Sequence, residues 1–234
     1  MTAIIKRELV SFFKNPIGYF VFGIYAFLSA FFFTLTVLWN NTSYLGNYFG
    51  SWIFFVYMIV VSILSMRFFS EEKKNKTDQL LLTSKISIYA LVAGKFLGAL
   101  IMMIIFSSVH IIYIGVVDYF GTVDYGSLFS NIVGSLLIIS AILSIGLFVS
   151  SLTESSIGAA LGTLAVLGLL YGIDFLAIFM PTFIARIIML TNIYAYYGDF
   201  TDGIINLPNV VYYLSIICIF LFLTVRVIEK RRWS

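Results

Sequence analysis

Residues whose types could support catalysis are sparse in this 234-residue chain. One histidine, His110, and one cysteine, Cys218, leave little to hold a metal ion, and a lone cysteine cannot form an internal disulfide. Gly94 and Lys95 form a Gly-Lys pair, but the other glycine and the Ser or Thr of a phosphate-binding loop are missing. The chain also lacks the G-x-S-x-G nucleophile motif. We therefore expect a non-catalytic chain without a cofactor or metal of its own.

The densest group of charged residues lies in residues 68–87, which read FFSEEKKNKTDQLLLTSKIS. Thr77 can cap a short helix that begins at Asp78 and contains the three leucines at 80–82. A helix of barely two turns is not stable alone, so these leucines need a partner surface. They could rest on the ends of the chain's own membrane helices or fit a groove on another protein. Periodicity alone does not choose between the two.

Membrane helices are the elements that would position this stretch. The chain is 61% hydrophobic and 11% charged, whereas soluble domains carry roughly 25% charged residues. Six apolar stretches are long enough to cross a bilayer as helices, at about 17–38, 51–69, 91–117, 128–152, 157–178 and 209–228. The sequence thus predicts an all-α integral membrane protein with six transmembrane helices, forming one domain over residues 1–234.

The basic residues are distributed unevenly about these predicted spans. Thirteen of the fourteen Lys and Arg residues fall on one side: three lie in the N-terminal segment, six in the stretch 67–95 and four at the C-terminal end from Arg226. Arg186 is the exception. Four aspartates occupy the opposite side: Asp118, Asp124, Asp199 and Asp202. By the positive-inside rule, we expect both termini and the charged stretch to lie in the cytoplasm.

Two further segments have apolar character without being spans. Residues 1–15 are amphipathic at helical spacing, which predicts an interfacial helix on the inner leaflet; the alternative is a frayed tail. Its apolar face contains Ile5, Leu9, Phe12 and Phe13, and its charged residues include Lys6, Arg7, Glu8 and Lys14. Residues 179–208 are also largely apolar, which predicts an extracytoplasmic re-entrant segment of short helices.

Ionisable residues within spans are candidates for function by default. His110 is expected to be a packed or hydrogen-bonded histidine. Asp174 either reaches interfacial water or lines a pathway with Tyr171, and Glu154 is a cytoplasmic charge that could contact a partner. The fifth span contains glycines at 158, 162, 168 and 172, which allow close helix packing within the chain or, alternatively, a dimer contact or a pathway lining.

Several stretches together resemble ABC-2-type transporter permeases over nearly the whole chain. EEKKNKTDQLLLTSKISIYALVAGKFLGA (71–99) is similar to their cytoplasmic loop, and KRELVSFFKNPIGYFVFGIY (6–25) to their opening. Later parts of these permeases are similar to SSLTESSIGAA (150–160), YYGDFTDGIINLPNVVYYLS (196–215) and the closing EKRRW. The most similar branch is that of the gliding-motility permeases. Two departures are Lys76, where the family often has Gly, and Lys85, where it often has Pro.

The resemblance implies a type V exporter-like permease bundle whose cytoplasmic loop, residues 70–90, docks in a separate ATPase subunit that binds ATP and Mg. It implies coupling roles for Glu71, Glu72, Thr77, Asp78, Leu80, Leu81, Leu82, Thr83 and Glu154. It also implies that the N-terminal helix touches the ATPase, through Lys6, Arg7, Glu8, Phe12 and Phe13. Tyr171, Asp174, Asp199 and Phe200 become candidates for the pathway or its outer gate.

We therefore predict the permease subunit of an ATP-driven exporter in the cell membrane of a prokaryote. Its expected partners are ABC ATPase subunits, a second identical or related permease subunit, membrane lipid and a companion membrane protein. Nucleic acid is not among them. One alternative is a secondary transporter driven by an ion gradient, which requires buried acidic residues near the bilayer midplane. The other is a membrane scaffold that transports nothing.

Overall fold

The computed structural model of the chain describes residues 2–76, 87–177 and 191–232, and every regular element in these ranges is helical. Six helices are long and apolar enough to cross a membrane. We number them as spans 1 to 6: Pro16–Leu38, Tyr48–Lys74, Ile88–Phe120, Tyr125–Leu152, Ser156–Ile173 and Leu207–Arg231. The predicted all-α fold with six transmembrane helices is confirmed.

Several spans are built from more than one helical segment. Span 1 is α-helical over Pro16–Phe33 and ends in a π-helical turn, Thr34–Leu38. Span 2 comprises π-helical turns at Tyr48–Trp52 and Met66–Ser70 around the α-helix Ile53–Ser65, and then the helix Glu71–Lys74. Span 3 consists of Ile88–Ser107 and Val109–Phe120. The helices that contain spans 5 and 6 end at Ala177 and Arg232.

Shorter helices lie outside the spans. The N-terminal helix covers Thr2–Lys14. A 3-10 turn, Ala195–Tyr197, and the helix Gly198–Thr201 precede span 6. Residues 77–86 of the predicted loop 70–90 and residues 179–190 of the predicted segment 179–208 lie outside the described residues, so the roles proposed for the two segments stay predictions.

Polar side chains fix where three spans begin. The Asn15 carboxamide accepts a hydrogen bond from the Ile17 amide at 3.1 Å, and Pro16 occupies the first helical position of span 1. Ser87 caps span 3, and the Asp124 carboxylate caps span 4 by accepting from the Gly126 amide at 3.0 Å. These caps satisfy amides that the helix cannot pair itself.

Spans 2 and 4 form the centre of the bundle and are the most deeply buried. Span 4 packs against spans 2, 3, 5 and 6, while span 1 packs against spans 2 and 3. Large apolar side chains are exposed on the outer helices, among them Phe20 and Phe27 of span 1, Leu161 of span 5 and Phe222 of span 6. An apolar outer surface of this kind suits contact with lipid tails.

The two ends of the bundle differ in charge. We call the end with the N-terminal helix, the exits of spans 2, 4 and 6 and the start of span 3 the basic end; the other is the acidic end. Span 3 has 33 residues. At 1.5 Å per residue it is about 50 Å long, against a hydrocarbon core of about 30 Å. Span 3 therefore extends beyond the hydrocarbon core, and the packing described next lies on the part of span 3 nearest the basic end.

Candidate functional site

The N-terminal helix is seated on two glycines of span 3. A Cβ atom at Gly94 would lie 2.9 Å from Ile4 Cγ2, and one at Gly98 would lie 3.1 Å from Glu8 Cβ. A G-x-x-x-G pair presents one smooth helix face, so the neighbouring helix can approach closely. Ile4 is buried in this contact.

The contacts advance in the same direction along both helices. Ile4 meets Gly94, Glu8 meets Gly98, and the ring of Phe12 lies 5.9 Å from that of Phe106. Steps of four on one helix are matched by steps of four to eight on the other. The N-terminal helix thus runs alongside the first half of span 3 and then turns into span 1 at Asn15.

Lys95 lies between the two glycines and is almost fully buried, with 1% of its side chain exposed. Its ammonium group donates to Glu8 Oε1 at 3.2 Å, to Glu72 Oε1 at 2.9 Å and to the Phe68 carbonyl at 2.8 Å. An ammonium group has three donors, so all are used. Glu8 belongs to the N-terminal helix and Glu72 to the exit of span 2.

A second cation bridges the same carboxylates from the solvent side. Arg7 Nη2 lies 2.8 Å from Glu8 Oε1 and 3.1 Å from Glu72 Oε1. We call Arg7, Glu8, Glu72 and Lys95 the Lys95 cluster. It contains two positive and two negative charges from three separate segments, so the cost of burying each charge is offset by its partners.

Charge pairing also sets the ionisation of the residues on the N-terminal helix. Burial alone would raise the pKa of the Glu8 carboxyl, but the Lys95 charge and hydrogen bonds from Arg7 and Lys95 outweigh it. The pKa of Glu8 therefore lies below its ordinary value. Burial alone would lower the pKa of Arg7, yet Glu8 and Glu72 raise it above the usual range. Both groups are charged at neutral pH.

A cavity of about 240 Å³ borders the Lys95 cluster. Its charged side also includes Arg67, whose Nε lies 3.5 Å from Glu71 Oε2, and its apolar side includes Leu64 and Met102. The guanidinium of Arg67 lies 5.3 Å above the ring of Phe12, a cation–π contact between span 2 and the N-terminal helix. Ion pairs and aromatic packing therefore both hold the N-terminal helix against span 2.

The exit of span 2 is also bonded to the end of span 4. The Ser150 hydroxyl accepts from the amides of Phe69 and Ser70 at 3.0 and 3.1 Å. One helical turn later, the Lys73 ammonium donates to the Ser151 carbonyl. The N-terminal helix, span 2, span 3 and span 4 are therefore joined by polar contacts immediately before the segment that begins at residue 77.

Lys76, the last described residue before that segment, has a φ of +57°. Its amide donates to the Lys73 carbonyl at 3.1 Å, which closes the helix end. A left-handed residue at this position is most often glycine, because glycine has no Cβ atom to clash.

Comparison with protein families decides where this architecture belongs. The family model described as ABC-2 family transporter protein matches residues 34–228. The chain belongs to the ABC-2 transporter family. It is a multi-pass membrane protein of a family of transmembrane subunits that are generally non-catalytic and work with an ATPase partner. A comparison with curated proteins gives no match.

Two of the predicted coupling residues of this ABC-2 protein, Glu71 and Glu72, line the cavity that borders the Lys95 cluster. Glu72 belongs to the Lys95 cluster and Glu71 pairs with Arg67. The others predicted in the loop, Thr77, Asp78, Leu80, Leu81, Leu82 and Thr83, lie outside the described residues, as does Lys85. Glu154 is 69% exposed and forms an ion pair with Arg231 at 3.0 Å, so the turn between spans 4 and 5 is tied to the end of span 6.

The predicted N-terminal residues divide into two groups. Arg7, Glu8 and Phe12 contact spans 2 and 3, whereas Lys6 is exposed and Phe13 is only half-buried. The contacts of the first group hold the helix to its own chain. They neither require nor exclude the predicted contact of this helix with an ATPase.

The predicted gate residues lie at the acidic end. Tyr171 stacks on Phe54 with ring centroids 5.1 Å apart, and also contacts Tyr194. Phe200 is fully buried against Gly134 of span 4. Asp199 accepts hydrogen bonds from Asn206 and Asn209 at the start of span 6. The Asp174 side chain lies outside what the structure describes, so its pairing with Tyr171 stays a prediction.

His110 and the glycines of span 5 have simple structural surroundings. His110 is buried, and its Nε2 lies 3.0 Å from the Tyr25 hydroxyl, as expected for a hydrogen-bonded histidine. A Cβ at Gly162 would touch Val149 of span 4 at 3.1 Å, whereas Gly168 and Gly172 have nothing within 4 Å. Among the described residues, no three His, Cys, Asp or Glu side chains gather as metal ligands.

Gly94, Lys95 and Gly98 belong to this site, although the sequence did not predict a site there. The signal was present as G-K-F-L-G, a small-x-x-x-small pair with a lysine inside an apolar span. The pattern predicts a site only if the N-terminal helix lies on this face of span 3, and the sequence does not indicate that it does.

Proposed function

We propose that this ABC-2 protein is the permease subunit of an ATP-driven exporter and couples to a separate ATPase through residues 70–90. The observation that supports the proposal most is the Lys95 cluster. It joins the N-terminal helix to spans 2 and 3 at the end of the bundle where the chain enters residues 77–86. A force applied to that segment would therefore act on several spans together.

The proposed cycle assigns the chemistry to the partner. ATP and Mg bind in the ATPase subunits, and closure of their dimer pushes on the short helix that we predict at 77–83. The push reaches span 2 through Glu71 and Glu72, span 4 through the bonds to Ser150 and Ser151, and the N-terminal helix through Glu8. The chain's own part is mechanical, and the charges of the Lys95 cluster serve it by pairing with one another.

The proposal includes the setting of the subunit. Two permease subunits, identical or related, pair in the cell membrane of a prokaryote with both termini in the cytoplasm. A companion membrane protein and lipid complete the surroundings, and the gliding-motility permeases are the proposed branch. Residues 179–208, with Tyr171, Asp174, Asp199 and Phe200, form the outer gate through which the substrate leaves.

A matched pair of variants tests the docking. Leu81→Asp places a carboxylate in the predicted docking helix, whereas Leu207→Asp makes the same change at an exposed position on the acidic end. Burying an unpaired carboxylate costs more than the ~1.4 kcal/mol that corresponds to a tenfold loss of affinity. We expect the copurified ATPase to fall at least tenfold for Leu81→Asp and to be unchanged for Leu207→Asp.

Two results would reject this function. If no ATPase copurifies with the wild-type chain, or if Leu81→Asp retains it fully, the segment is not a docking site. Collapse of substrate export by an uncoupler at constant ATP would instead favour transport driven by an ion gradient. The carboxylates within the spans argue against that rival, because Glu71, Glu72, Asp118 and Glu229 all lie within the last few residues of their spans.

A further inference from the structure

Lys95 contacts carboxylates that are far apart in the chain. Glu8 is 87 residues away and Glu72 is 23 residues away, and both place Oε1 within 3.2 Å of the same ammonium nitrogen. Two carboxylates this close to one point repel each other strongly when the cation between them is absent. Lys95 therefore keeps together two segments that would otherwise separate.

Arg7 cannot replace Lys95 in this role. Its side chain is 45% exposed and approaches the same two oxygens from the solvent side. Water screens an exposed cation and competes for its hydrogen bonds, whereas Lys95 is shielded from both effects. The Phe68 carbonyl and the ring of Phe69, 5.1 Å from the ammonium, also hold Lys95 on the span 2 side.

The glycine seat, which is the surface of Gly94 and Gly98 that the N-terminal helix covers, and the Lys95 cluster attach that helix to different spans. The contacts of Ile4 with Gly94 and of Glu8 with Gly98 attach the N-terminal helix to span 3 alone. The Lys95 cluster and the contact of Arg67 with Phe12 extend the attachment to span 2. Without the buried cation, the repulsion between Glu8 and Glu72 would push the N-terminal helix away from span 2 and loosen its contact with Gly94 and Gly98.

We propose that Lys95 is a positioning residue that makes the N-terminal helix and the exit of span 2 move as one body. The proposal rests on the proposed function, since that motion is the one imposed on residues 77–86 by the ATPase. In this arrangement the N-terminal helix transmits the ATPase movement to span 1, which it enters at Pro16. Lys95 acts through Glu8 and Glu72 and touches neither nucleotide nor substrate.

A labelling experiment on the ATPase–permease complex tests the proposal. Ile4→Cys, in a Cys218→Ser background, places a thiol in the buried seat, and Lys6→Cys in the same background gives a thiol that is always exposed. With Lys95→Met, we expect the maleimide labelling rate at position 4 to rise at least about tenfold, because the carboxylates lose their buried partner. The rate at position 6 should not change.

Lys230→Met is the matched control, since Lys230 is exposed at the same end of the bundle. It should leave labelling at position 4 at the wild-type rate. Lys95→Arg, which keeps the positive charge, should restore most of the protection that Lys95→Met removes. An unchanged labelling rate in Lys95→Met would overturn the proposal even if the complex remained intact.

The second readout separates positioning from simple attachment. In the complex with Lys95 intact, adding ATP should change the labelling rate at position 4. In Lys95→Met the ATPase should still copurify, but the rate should no longer respond to ATP. A response that persists in Lys95→Met overturns the inference alone. Failure of the wild-type chain to retain an ATPase would reject the proposed function, while the labelling without nucleotide would still test the role of Lys95.

Discussion

The two ends of the bundle are fastened by different chemistry. At the basic end, the three buried or half-buried charges of Glu8, Glu72 and Lys95, together with the exposed Arg7, join the N-terminal helix to spans 2 and 3. At the acidic end, the residues before span 6 are held by aromatic packing and by bonds to carbonyls and amides. The Tyr213 hydroxyl donates to the Ile193 carbonyl at 2.7 Å, and the rings of Tyr196 and Tyr212 stack 4.0 Å apart.

The two kinds of contact differ in the distance over which they act and in their response to pH and salt. Ion pairs between segments transmit a displacement over a few ångströms and respond to pH and salt. Aromatic packing and carbonyl hydrogen bonds are short-ranged and give way by separating. The difference supports the proposal that the basic end carries a force between helices and that the acidic end opens and closes. Four changes test this comparison, from the largest expected effect to the smallest.

Gly134→Leu should be the most damaging change at the acidic end. A Cβ at Gly134 would lie 2.5 Å from Phe200 Cβ, whose position is fixed by the backbone of the helix Gly198–Thr201. We expect a loss of about 3 kcal/mol in unfolding free energy, measured by thermal unfolding in detergent. Gly168→Leu, with open space around its Cβ, is the control and should be tolerated. Equal stability of the two variants would show that span 4 does not hold this helix.

Glu8→Gln should weaken the basic end by about 2 kcal/mol, because it leaves Lys95 with one carboxylate. The pKa of Glu8 is lowered in the folded state, so its contribution is complete above the ordinary carboxyl pKa of 4.5 and is lost as the pH falls through the lowered value. The Tm difference between wild type and Glu8→Gln should therefore be full at neutral pH and shrink in acid. A difference that stays constant down to the most acid pH at which the protein folds would contradict the ion-pair account.

Tyr213→Phe removes one neutral hydrogen bond from the acidic end. The Ile193 carbonyl then lacks its donor in a buried position, which costs about 1–2 kcal/mol. We expect a lower Tm that depends on pH no more than the wild-type value does. Tyr119→Phe, at an 83% exposed side chain, supplies the comparison and should have no measurable effect. The assignment of this bond would be wrong if the two variants unfolded at the same temperature.

Lys76→Gly should be the mildest change and a stabilising one. Relief of a left-handed φ at a residue with a Cβ gains up to about 1 kcal/mol. Lys74→Gly makes the same substitution inside the helix Glu71–Lys74 and should lose a similar amount. At the acidic end the comparable residue is Asn41, with φ of +49°, and asparagine tolerates that conformation. Destabilisation by Lys76→Gly would contradict the geometry of the span 2 exit.

The spans could be predicted from the sequence because hydropathy and length determine them locally. The end of span 2 was predicted at 69 and lies at Lys74, because the charges that seemed to end the helix continue it. Glu72 finds Lys95, and Lys73 finds the Ser151 carbonyl. Such pairings join residues that are 23 and 78 positions apart, and no local pattern indicates which charges will meet.

The N-terminal helix illustrates the same limit. Its amphipathic pattern predicted an apolar face with Ile5, Leu9, Phe12 and Phe13. Phe12 is buried as predicted, but Ile4 rather than Ile5 enters the glycine seat, since the position of Gly94 and Gly98 decides which side is covered. Local periodicity predicted the element, and the neighbouring helix determined its orientation.

The central claim is that the basic end, at the exit of span 2, engages a separate ATPase. Photo-cross-linking within the native complex tests it most directly, with a photoreactive amino acid at Asn75 or, as the control, at Thr122 on the acidic end; both positions are exposed. The account predicts a cross-link to the ATPase from position 75 and none from position 122. Cross-linking from neither position, or equally from both, would contradict it.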